Sequence, residues 1–175
     1  MSKTAAKKKV FAAGGKEPLA MRIIKYLMLS LFGYGVVFWG GTGVLAAFGS
    51  SFDDFSPPAW IGFALIGGAA ALIAAGVFSW RRLNIIAFFP AALGTAAVLA
   101  AAGWFVKTAR YELENRVVSN DLLDLDKHYM YRALPVLAGG VLALVLAIMQ
   151  AARRIRKKRK EQNERDNAPV RSIVD

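Results

Sequence analysis

The residues of this 175-residue sequence best equipped for chemistry lie at positions 107–132, KTARYELENRVVSNDLLDLDKHYMYR. The single histidine, His128, follows Asp124 by four residues and Asp126 by two. Residues four apart share a helix face, so Asp124 and His128 could together hold a metal ion or relay a proton. Two ligands do not make a site and no nucleophile accompanies them, so the expected state of His128 is a solvated side chain near an interface. Asp53 and Asp54 raise the same question for Ca²⁺, which takes about six to eight oxygens. No repeat of acidic spacing follows them, and they read as loop charges.

Other chemistries fall away by composition. There is no cysteine, which excludes disulfides, thiolate catalysis, iron–sulfur clusters and Cys-based zinc sites. One histidine excludes bis-histidine haem ligation within the chain. No P-loop, GxSxG elbow or HExxH motif occurs. Catalytic residues, cofactors and bound metals are therefore not expected, and the chain is expected not to be an enzyme.

The elements that must position these groups are apolar. Hydrophobic residues make up 56% of the sequence, and they fall in four blocks separated by nearly all the charge, the pattern of a membrane protein. The blocks cover about 26–49, 59–80, 83–106 and 133–152. Each reaches the roughly 20 residues that a helix needs to cross about 30 Å of hydrocarbon. The first ends in Ala47-Phe48-Gly49, which resembles a signal-peptide cleavage site, but its apolar run is far longer than a signal core and the span is expected to be retained.

Charge sets the expected topology. If both tails and the Arg81-Arg82 turn share one side, that side holds 18 of the 23 basic residues and a net charge of +13, against −2 on the other side, which together give the overall +11. The bias of Lys and Arg toward the cytoplasm predicts an all-α integral membrane protein with four transmembrane helices in an up-down bundle and both termini cytoplasmic. Residues 1–25 then form a basic tail that settles at the surface near Met21, residues 107–132 an outer segment, and residues 153–175 a basic C-terminal tail. Ala-rich spans, a short basic turn and the lack of cysteine suggest a bacterial plasma (inner) membrane. Arg81, Arg82, Arg153, Arg154, Arg156, Lys157 and Lys158 are expected to contact anionic lipid headgroups, each worth about 1 kcal/mol near the surface. RRIRKKRK reads as a cytoplasmic anchor, and nucleic acid is disfavoured as a partner.

Small residues recur every four positions as Gly67, Ala71, Ala75 and Ser79, and again as Ala92, Ala96 and Ala100. With Gly139 and Gly140 they are candidates for close helix packing of the small-xxx-small kind. In the outer segment, Ser119-Asn120 is expected to cap a short helix lying on the bilayer or on a partner, with Leu122, Leu123, Leu125, Tyr129 and Tyr131 as docking candidates. Pro90 is expected to bend the third span, with neighbouring backbone or Thr95 helping to satisfy the groups it frees.

No Asp, Glu, Lys, Arg or His lies inside the four blocks, which weighs against a proton-coupled pump or a charge-selective channel. The expectation is an accessory, scaffold or assembly subunit of a larger membrane complex, or a homo-oligomer, working by helix–helix packing and an outer docking segment. The alternative is a small transport component for an apolar or lipid-like substrate. A third reading gives the basic tails a ribosome or nucleic acid to dock.

Overall fold

The computed structural model describes residues 17–49, 57–115 and 125–166. They form four helices: α1, Leu19–Ala47; α2, Ala59–Trp80; α3, Asn84–Asn115; and α4, Leu125–Asp166. Each contains a stretch long and apolar enough to cross a membrane. No strand occurs among the described residues.

The helices pack as a ring in which α2 lies on α3, α3 on α4, α4 on α1 and α1 on α2. Their buried positions recur every three to four residues. In α1 these are Met21, Lys25, Met28, Phe32, Gly35, Trp39, Thr42 and Ala46; in α2, Ile61, Leu65, Gly68, Leu72, Ala75 and Ser79. Asn84, Ala87, Ala91, Val98, Ala101 and Phe105 do the same in α3, and Tyr129, Ala133, Val136, Ala143 and Leu146 in α4. A repeat near 3.5 residues keeps one seam facing the centre and is the pattern of left-handed four-helix bundles.

Two boundaries differ from expectation. The helix α1 starts at Leu19, not near Tyr26, with the carbonyl of Pro18 accepting the amide of Arg22 at 3.1 Å. Met21 and Lys25 are buried on the seam, so the bundle extends the helix into what reads as a tail. In α4, one helix runs without a break from Leu125 to Asp166. The expected separate surface helix does not exist from Leu125 onward, because Tyr129 and Ala133 already belong to the seam. RRIRKKRK simply continues that helix.

The path of α1 is diagonal. Its first part, Leu19–Gly35, packs mainly on α4, whereas Val36–Gly40 and Gly41–Ala47 pack on α2. The change of neighbour coincides with a π-helical turn at Val36–Gly40, a widened turn that is rare and short in proteins generally. Thr42 steadies it by donating its hydroxyl to the carbonyl of Phe38 at 2.9 Å. Beyond this turn the backbones of α1 and α2 touch, and a Cβ added at Gly62 would lie 2.6 Å from the carbonyl oxygen of Gly43. A similar crossing joins α2 to α3, where a Cβ at Gly94 would lie 2.7 Å from the carbonyl oxygen of Gly68.

Candidate functional site

The centre of the bundle is filled. Phe32, Leu65, Leu72, Val98, Val136 and Leu146 are almost wholly buried there. Polar groups on the seam are few, and among the described residues the Nδ2 of Asn84 and the hydroxyl of Thr95 are left without a hydrogen-bond partner. Ser79 donates to the Oδ1 of Asn84 at 2.8 Å. Thr95 is buried against α4, where a Cβ at Gly140 would lie 2.8 Å from its Oγ1. Among the described residues that hydroxyl has no hydrogen-bond partner, so of the two expected sources of relief for the backbone freed by Pro90, Thr95 is not one. Among the described residues no group of three or more His, Asp or Glu side chains could hold a metal. His128 is exposed, with its ring edge-on to Tyr129 at 6.3 Å; Asp124 lies outside the described residues.

At the end of the bundle that bears His128, aromatic rings close the seam. Phe105 and Tyr129 stack with centroids 4.7 Å apart, and Trp39 lies 6.4 Å from Phe105 and 6.3 Å from Tyr129. The indole N–H of Trp39 donates to the carbonyl of Arg132 at 3.1 Å, and the Arg132 guanidinium lies 4.3 Å above the ring of Phe38. The π-helical turn thus delivers Phe38 and Trp39 to α4 while the rest of α1 moves to α2. Tyr129, expected as a docking candidate, is only 6% exposed, and its ring belongs to this plug. Tyr131 is 66% exposed and points away from the bundle. Leu122 and Leu123 lie outside the described residues, as does the side chain of Leu125.

The small-residue rows separate into two groups. Ala75 and Ser79 are buried on the α2 seam, Ala71 is half-buried and Gly67 is exposed. A strict four-residue spacing drifts about 40° per step around a helix, so such a row leaves a 3.5-residue seam within a few steps. Ala92, Ala96 and Ala100 are all exposed on the outward face of α3, beside the exposed Phe89 and Leu93. Gly139 faces Phe32, whose ring lies 2.7 Å from where a Cβ would stand, and Gly140 faces Thr95.

The opposite end gathers the basic residues. The start of α1, the turn between α2 and α3, and the last part of α4 meet there: Gln150 donates to the carbonyl of Arg82 and accepts the amide of Ile85 at 3.0 Å, and Arg153 reaches the sulfur of Met21 at 3.7 Å. Lys25 is buried with Glu17, each carboxylate oxygen 2.7 Å from Nζ, at side-chain exposures of 7% and 11%. Beside this pair, Glu17, Arg22, Lys25, Tyr26, Trp80 and Arg82 line a cleft of about 450 Å³. Arg153, Arg154, Arg156, Lys157 and Lys158 project from the continuing helix, and Arg81 is exposed at the turn. Of the cleft, sequence reasoning singled out Arg82 alone. The juxtaposition of Tyr26 and Trp80 with basic neighbours at span ends was the available signal for the rest.

No family model, no curated protein and no solved structure matches the chain. Four helices apolar enough to cross a membrane mark it as a multi-pass membrane protein by length and composition.

Proposed function

We propose that this chain is a non-enzymatic subunit of a larger membrane assembly, an accessory or scaffold protein that works by helix packing, or a homo-oligomer doing the same. The observation that carries the reading is the outward face of α3. Ala92, Ala96 and Ala100 form a flat strip there, with Leu93 standing 66% exposed beside it. In lipid, such a strip favours a second helix because it lets two backbones approach closely. The filled seam supports the same reading over passage of a substrate through a single chain. Charge asymmetry supports a reading in which the basic end faces the cytoplasm of a bacterial plasma membrane, with the aromatic plug and Tyr131 toward the outer face.

Extraction in a mild detergent followed by sizing and identification of copurifying proteins tests the proposal. A complex larger than one chain is the expected result. A stable monomer that carries full activity in the cell overturns it.

A further inference from the structure

The cleft at the basic end has a structural cause. Because the first part of α1 packs mainly on α4, it diverges from the last turns of α2 and leaves a wedge between them. Tyr26 and Trp80 bridge the wedge, edge to face at 6.4 Å, and deeper in, Leu29 packs on Gly76. Gly33 lies two turns beyond Tyr26, and among the described residues nothing stands within 4 Å of its Cβ position. Ile73 lies two turns back from Trp80 and is exposed. A charged rim therefore leads into an apolar furrow.

The charge in the rim is unbalanced. Three cations face one carboxylate, and Glu17 gives both of its oxygens to Lys25. Among the described residues no carboxylate pairs with Arg22 or Arg82. The position of Arg82 is over-determined. It closes α2 with φ 62°, its amide bonding to Ser79 at 2.9 Å and that of Leu83 to Phe78 at 2.9 Å, the pattern in which glycine is usual. Gln150 clasps its carbonyl from α4. Backbone strain of this kind persists where surrounding structure holds it and clusters at ligand sites.

We propose that this cleft binds the phosphate of an anionic membrane lipid, with Arg22 and Arg82 as its ligands, Tyr26 and Trp80 as its walls, and the furrow toward Gly33 and Ile73 receiving an acyl chain. Guanidinium groups bind phosphate through paired, charge-assisted hydrogen bonds. Tyr and Trp are the side chains that settle at headgroup level. The cleft volume falls within the range of small-ligand sites, about 300–1,000 Å³. The site is independent of the subunit reading, since it is complete within one chain.

Native mass spectrometry of the full chain in mild detergent, titrated with phosphatidylglycerol, phosphatidylcholine or inorganic phosphate, tests the assignment. One phosphatidylglycerol per chain should be retained in preference to phosphatidylcholine and should resist millimolar inorganic phosphate. Arg22→Gln with Arg82→Gln should weaken retention about 30-fold, the equivalent of about 1 kcal/mol for each basic group. Arg22→Lys with Arg82→Lys should recover part of it, which separates loss of charge from loss of fold. Arg159→Gln with Lys160→Gln, the same charge loss on the exposed helix, should leave retention unchanged. Equal retention of both lipids, or equal loss in the tail variant, overturns the site; displacement by inorganic phosphate overturns the lipid as its ligand.

Discussion

Arg82 ends α2 in the same left-handed backbone conformation in which Gly49 ends α1, with φ of 62° and 75° respectively. Glycine takes this conformation freely, whereas a residue with a Cβ pays roughly 1–2 kcal/mol. Arg82→Gly should therefore melt at a higher temperature than Arg82→Ala, by the equivalent of about 1 kcal/mol, while both lose lipid retention. Thermal unfolding of the two variants in one detergent checks this, and equal stability would remove the strain argument.

The two kinds of small residue on α2 and α3 should respond oppositely to bulk. Gly94→Leu drives a side chain into the backbone of Gly68 and should destabilise the single chain by several kcal/mol, beyond the usual 1–3 kcal/mol or so of overpacking. Ala96→Leu meets open surface and should leave the melting temperature nearly unchanged while lowering the assembled fraction. Because the chain has no cysteine, Ala96→Cys adds a lone thiol whose oxidative crosslinking reports whether two copies meet on this face.

The aromatic plug should be the most sensitive part of the seam. Phe105→Ala empties the space between Trp39 and Tyr129 and should cost about 3–5 kcal/mol. Trp39→Phe removes only the bond to the Arg132 carbonyl and some ring area, and should cost about 1–2 kcal/mol. Chemical unfolding of both variants orders them, and the reverse order would deny the stack its role.

Lys25 and Glu17 form a nearly buried ion pair, for which removing one partner is worse than removing both. Glu17→Gln should destabilise by about 3 kcal/mol or more, and Glu17→Gln with Lys25→Met should recover most of that loss. Additive losses in the double variant would mean that the pair does not interact.

Four spans and a basic end were legible because hydropathy and charge alternate in blocks long enough to average over error. The seam was not. Gly67, Ala71, Ala75 and Ser79 suggested a four-residue stripe, but the helices meet on a repeat near 3.5, so only the last two residues of that row are buried. Lys25 read as part of a tail because Glu17, the partner that buries it, precedes the helix. Gln150 joins residues 65 and 68 positions away, and Tyr129 enters the bundle only because α1 delivers Trp39 to it. Contacts at such separations have no local signature. Arg82 was read as one of several lipid-facing charges, and nothing near it in sequence announced the opposing Arg22.

The 42 residues of α4 make a rod of about 63 Å at 1.5 Å per residue, reaching past the apolar stretch at both ends. Tyr129 grips the plug near one end, Gln150 grips the Arg82 turn further along, and the arginine and lysine tip extends beyond both. Along this helix the turn that holds Arg82 stands between the basic tip and the stacked rings, so a displacement of the tail meets the α1–α2 cleft before it meets the plug.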